Sequence, residues 1–329
     1  MSPRLRTGLV VAALAALAAV VVAGAAVLSA EELPPPATPH AQPKPQKGAP
    51  PLVLDLGLRT DAEARDLRRA AELYEQGRRR QASALFRRSE SLEAKIGLAF
   101  ASWPRTLERV EQLGALYPRS SLAQLHVGLA RVWAGRGGAR EAWREARDAE
   151  PDTLYAVRAS GLLHPKFAPD LPLFVAEAPF PQELAELPPA RQLTRLRDGA
   201  RSFTGRKGLV WRLHYGLALQ RLGRPVSARR AYDEAARRYP DDVEALVAAA
   251  VGRFTKERPE AAFSRLGPLS RRFPGAATVR FHLGLLLLWS SQVEEAERQL
   301  RLADQAETGS RLAGQARRYL EELEKVGTR

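Results

Sequence analysis

Apolar residues return every three or four positions through most of the chain beyond residue 60, the spacing of helices with one buried face. Between Leu209 and Ser310 the pattern also repeats as a block. Gly216 is answered thirty-four positions on by Ala250 and again by Gly284, Ala228 by Ala262 and Ala296, Tyr232 by Leu266 and Leu300, Ala235 by Leu269 and Ala303, and Pro240 by Pro274. A small residue belongs where two helices cross closely, and a bulky one fills the space beside it. Each block is therefore predicted to be a helical hairpin, with Gly223 turning the chain and Pro240 ending the second helix. One hairpin cannot bury its own apolar face, so the blocks are expected to stack into one elongated solenoid.

The same slots can be followed upstream. Thr60 and Glu63 have capping-box spacing, so the folded region is expected to begin near Thr60. A first repeat follows through Ala70, Leu73, Gly77, Ala82 and Phe86, and a second through Gly97 and Phe100, shortened at Trp103-Pro104. A third runs from Ser121 to Thr153 with Gly128, Gly135, Ala139, Trp143, Ala146 and Pro151. Register is then lost over residues 154–208, where a helix ending near Leu163 is followed by a proline-rich apolar loop and a helix from about Pro189 to Phe203. After Ser310, Arg311 to Val326 reads as one amphipathic capping helix.

Ahead of the repeats, Thr7 to Ala30 carries no charge. Its length suffices to cross a bilayer, and it lies between Arg4 and Arg6 on one side and Glu31 and Glu32 on the other. It is read as a signal anchor with the N-terminus cytoplasmic and the repeats outside the cytoplasm. The alternative is a cleaved signal peptide, for which Ala23-Gly24-Ala25 and Leu28-Ser29-Ala30 offer processing sites. Prolines from Pro34 to Pro51 favour an extended, semi-rigid stalk. The expected organisation is 1–30 anchor, 31–59 proline-rich linker, 60–153 first repeats, 154–208 degenerate repeat with the apolar loop, 209–310 three repeats and 311–329 cap. The fold class is all-α, an α-solenoid of antiparallel helix pairs with an N-terminal transmembrane helix.

The repeated slots resemble the tetratricopeptide repeat (TPR) family, strongly at Leu209 to Ser310 and Ser121 to Thr153. That resemblance implies a scaffold without catalytic activity, whose first helices line a concave groove for a protein or peptide partner. Membrane-anchored proteins of this family include accessory factors for cytochrome c maturation and for envelope or pilus assembly. Carried over by spacing, the groove comprises Leu122, Leu125, Leu129 and Trp133, then Leu213, Leu217 and Arg221, then Val247, Val251 and Phe254, then Phe281, Leu285, Leu288 and Trp289. This stripe is mostly apolar. Either the capping helix or the loop carrying Phe167, Phe174 and Phe180 buries it, or it takes a hydrophobic partner segment. The loop likewise either docks on the repeats or is itself a partner-binding element.

Composition narrows the chemistry. The formal charge is +14, but the arginines are dispersed, with Asp233 and Glu234 interleaved among Arg229, Arg230, Arg237 and Arg238. A solvated outer face is expected, and nucleic acid is not an expected partner because no basic strand studded with aromatics is present. The alternative reading is an exported cationic protein that binds anionic lipid or wall polymers. There is no cysteine, which excludes disulfides, thiolate metal sites and a cysteine nucleophile. No hydrolase, metalloprotease or nucleotide-binding motif is found, so neither catalytic residues nor a cofactor is expected. His126, His214 and His282 each stand two residues before a small residue of a first helix. Helices packed 8–10 Å apart cannot bring them to one metal, so a family-typical polar position is the expected role.

Overall fold

The computed structural model describes residues 44–306 and 309–327, and their contacts divide into two compact units meeting at Leu163 and His164. Thr7 to Ala30 lies outside the described residues. Among the described residues no helix is long and apolar enough to cross a membrane. Where the repeats argued for one solenoid, the series of hairpins is interrupted at the 164–188 segment, which contains no α-helix.

The N-terminal unit holds α1 (Ala62–Glu75), α2 (Arg79–Phe86), α3 (Leu92–Ala101), α4 (Leu107–Leu116), α5 (Ser121–Trp133), α6 (Ala139–Ala149) and α7 (Leu154–Leu163). They form three hairpins and a closing helix. The C-terminal unit opens with α8 (Pro189–Ser202) and then follows the same plan. Its hairpins are α9 (Gly205–Arg221) with α10 (Pro225–Arg238), α11 (Val243–Val251) with α12 (Glu260–Arg272), and α13 (Ala277–Trp289) with α14 (Val293–Ala306). The closing helix is α15 (Arg311–Gly327), which stacks on the last hairpin as the next first-type helix and sets Tyr319 edge-on to Phe281 at 5.9 Å.

Local chemistry sets the helix ends. Side chains of Ser91, Ser120 and Asp242 accept from the backbone N–H three residues on, capping α3, α5 and α11. Asp61, and not Thr60, caps α1, while Glu63 bonds Arg59 and Ser89 instead of closing a capping box. Gly135 and Gly223 take positive φ where first helices turn into second ones. At the third hairpin of the C-terminal unit Ser291 occupies that conformation, with φ 59°.

The repeated slots act as the spacing predicts. A Cβ on Gly128 would fall 2.2 Å from the Trp143 ring, and one on Gly216 would fall 2.2 Å from Tyr232. Glycine here admits a ring and brings the two helices of a hairpin together.

Candidate functional site

In each unit the first helices of the hairpins present an apolar inner face, and in each that face carries an extended segment of the same chain. These segments, 44–58 and 166–180, are termed the N-terminal and C-terminal straps. The capping-box spacing predicts a fold that begins near Thr60, with a stalk before it. Instead, packing reaches back to Ala49, because Leu52 and Leu56 are buried in one cluster with Leu122, Leu125 and Leu129. In the C-terminal strap Ala168, Phe174 and Ala176 join the cluster of Leu213, Val247, Val251, Phe254, Phe281, Leu285, Leu288 and Trp289. Leu217 is also buried. Of the other groove positions, Trp133 is half-buried and Arg221 exposed.

The rings of the C-terminal strap pack against rings of the hairpins. Phe174 stacks on His282 at 5.0 Å and meets Tyr232 edge-on at 5.4 Å. Phe180 meets His214 edge-on at 5.6 Å, and Phe167 meets Phe254 at 6.4 Å.

The straps are bound mainly through their backbones, and the two units use the same contacts. Gln46 N–H donates to the Trp133 carbonyl and Ala168 N–H to the Trp289 carbonyl, at 3.0 and 3.2 Å. Val53 N–H donates to His126 Nε2 at 3.1 Å, and Val175 N–H to His282 Nε2 at 2.9 Å. The interval from Gln46 to Val53 equals that from Ala168 to Val175, and the interval from His126 to Trp133 equals that from His282 to Trp289. A further pair matches at the closing helices. Tyr155 Oη donates to the Asp55 carbonyl at 3.3 Å, and Arg311 Nε to the Glu177 carbonyl at 3.2 Å. Side by side, Pro50, Val53 and Asp55 correspond to Pro172, Val175 and Glu177, so one strap-and-hairpin arrangement is built twice.

The histidines therefore have a role that spacing alone did not reveal. Nδ1 of His126 lies 2.7 Å from the Leu122 carbonyl, and that of His282 lies 2.7 Å from the Thr278 carbonyl. A carbonyl only accepts, so Nδ1 carries the proton and Nε2 is left to accept the strap N–H. Burial pushes both imidazoles down to about 4, against the opposing effect of the carbonyl bond. His214 works in the opposite sense: its Nε2 donates to the Ala178 carbonyl at 3.1 Å, and burial lowers its pKa as well. The three histidines bind backbone one at a time, and among the described residues no group of three His, Asp or Glu side chains could hold a metal ion. The signal was present in the sequence as the recurrence of His before each small residue. What it lacked was the identity of the bound group.

The straps differ in how firmly they are held. Beyond the shared contacts, the C-terminal strap gives Phe174 N–H to Gln220 Oε1 at 3.0 Å and its Glu177 N–H to the buried Glu244 carboxylate. Burial raises the Glu244 carboxyl above the usual range. Lys256 Nζ reaches the Pro169 carbonyl at 2.8 Å, Trp289 Nε1 the Asp170 carbonyl at 3.1 Å, and the Glu177 carboxylate accepts from the first N–H groups of α15. The N-terminal strap adds Tyr74 Oη on the Pro50 carbonyl at 2.6 Å and Asp55 N–H on Tyr155 Oη at 2.9 Å.

Comparison with curated proteins gave no match. A family model described as tetratricopeptide repeat matches residues 209–252, the stretch from the second turn of α9 through α11. Small and large residues interlock across hairpins on both sides of this match as well, so the described residues are built from helical hairpins similar to the tetratricopeptide repeat matched at 209–252.

Proposed function

We propose that this protein is a non-enzymatic scaffold that holds a protein partner, tethered to a membrane through Thr7 to Ala30 with the repeats outside the cytoplasm. The family supports an interaction scaffold. The observation that carries the finer reading is the construction of the inner faces: a ring nitrogen, a helix-end carbonyl and an apolar floor grip an extended chain mainly through its backbone. Such a grip tolerates many sequences and suits a partner segment laid along the groove. In this reading a partner takes the place of a strap. The N-terminal strap is the one that yields, because fewer bonds hold it.

The test uses the full chain carrying Leu52→Ser and Leu56→Ser, which loosens the N-terminal strap, and a labelled synthetic peptide of residues 44–58. Saturable binding that persists at high salt and disappears when His126→Ala is added supports the inner face as a peptide track. Absence of binding refutes it, and binding removed by salt assigns it to the arginine-rich outer surface. The tether is tested separately by alkaline extraction of membranes and by protease access to the repeats.

A further inference from the structure

The correspondence between the units exposes one place where they part. At the outer end of the C-terminal strap, Phe167 packs against Phe254, just past the end of α11, and the Trp289 indole is hydrogen-bonded to the Asp170 carbonyl. The matching positions in the N-terminal unit are Pro45 for Phe167, Trp103 just past α3 for Phe254, Gly48 for Asp170 and Trp133 for Trp289. With proline and glycine at these strap positions, no ring enters and a cleft of about 600 Å³ remains. This lies within the range of small-ligand sites.

The walls of the cleft define its ligand. Trp103, Trp133, Pro45 and Leu107 supply apolar surface, and the charged side chains lining it, Arg79 and Arg136, are both cationic. Arg79 is held by donating Nη1 to the Trp103 carbonyl at 3.0 Å, which leaves its other N–H groups for a ligand. Both arginines are exposed at the mouth, while Trp103 is buried and Trp133 half-buried.

We infer that this cleft binds an aromatic group bearing a carboxylate, the ring lying between the tryptophans where the C-terminal unit places Phe167 and the anion meeting Arg79 and Arg136. The guanidinium fork matches a carboxylate, and aromatic faces favour a ring over an aliphatic group of equal size. Residues 1–43 contain no Phe, Tyr or Trp, so they do not supply the ring. A free aromatic acid and the C-terminal aromatic residue of a protein share this chemistry.

The experiment titrates the full chain with N-acetylphenylalanine and with a hexapeptide ending in Phe, each as the free acid and as the amide, by calorimetry. Saturable binding of a free acid is expected, weakened about tenfold or more by amidation or by Arg136→Gln, consistent with loss of a charge-assisted hydrogen bond. Pro45→Phe, which supplies the ring found in the other unit, is expected to abolish it. Thermal melts of the variants establish that they remain folded, and Arg136→Gln breaks no internal contact of the kind Arg79 makes. Binding of the small acid alone identifies a free metabolite as the source, and binding of the peptide identifies a chain terminus. No saturable binding of either free acid, equal binding of the amides, or undiminished binding by folded Pro45→Phe overturns the inference. The site is separate from the His126 contact, so its failure leaves the peptide-track reading standing, and the reverse.

Discussion

The two units share a plan and differ in closure. Both lay a strap across the first helices, fix its centre with a histidine nitrogen and its outer end with a tryptophan carbonyl. The C-terminal strap is held more closely: Phe174 is fully buried, an acidic side chain caps the closing helix, and bonded backbone groups run from the Lys166 carbonyl to the Ala178 carbonyl. The N-terminal strap buries Leu52 and Leu56 but exposes residues 44–48 and borders an open cleft. The same hydrogen-bond scheme thus supports a sealed core in one unit and an accessible groove end in the other. What separates them is side-chain size at a few strap positions.

The largest expected consequence of this difference is in the strap cores. Phe174→Ala should destabilise the C-terminal unit by about 3–5 kcal/mol, as for buried aromatics generally, whereas Leu52→Ala at the edge of the N-terminal core should cost about 2–3 kcal/mol. Urea unfolding read separately for each unit checks the ranking, and equal losses would remove the distinction. Next comes acid. The folded-state pKa of His126 and His282 lies below the unfolded value, so their neutral forms favour folding above pH 6.5, and that contribution is lost as pH falls from 6.5 through about 4. Stability should fall by a few kcal/mol over this window, and His282→Gln should flatten the curve of the C-terminal unit alone.

Smaller effects sharpen the comparison. His282→Ala leaves the Val175 N–H without its acceptor and removes the stacking partner of Phe174, an expected cost of about 1–3 kcal/mol. His126→Ala should cost less, since no strap ring stacks on His126, whose ring partner is Phe100, edge-on at 5.0 Å. At the third turn Ser291 stands at positive φ where the N-terminal unit has Gly135, and its Oγ donates to the Lys166 carbonyl at 2.7 Å. Ser291→Gly relieves backbone strain and removes that bond. The opposing terms leave a net change within about 1 kcal/mol, measurable as a shift in thermal midpoint.

The hairpins were legible because their determinants are local. Gly128 and Gly216 mark close crossings, Trp143 and Tyr232 the rings that fill them, and Gly223 the turn, all within one sequence period. The inner-face stripe was legible too, from Leu122 to Trp289, and so was the apolar character of the 167–180 loop. The strap contacts were not, because Val53 meets His126 and Val175 meets His282 across most of a unit, through backbone N–H groups that no side-chain pattern reports. Proline richness before residue 52 also concealed that Leu52 and Leu56 alternate toward a core, the period of an extended chain half buried on one side.

The central claim, that each unit closes its inner face with its own backbone-bound strap, is tested most directly by amide hydrogen exchange on the full chain. The account predicts protection at Gln46, Val53 and Asp55 and stronger protection at Ala168, Phe174, Val175 and Glu177, the latter approaching that of α13. Exchange of both sets at the rate of an unstructured peptide, with the helices still protected, would contradict it.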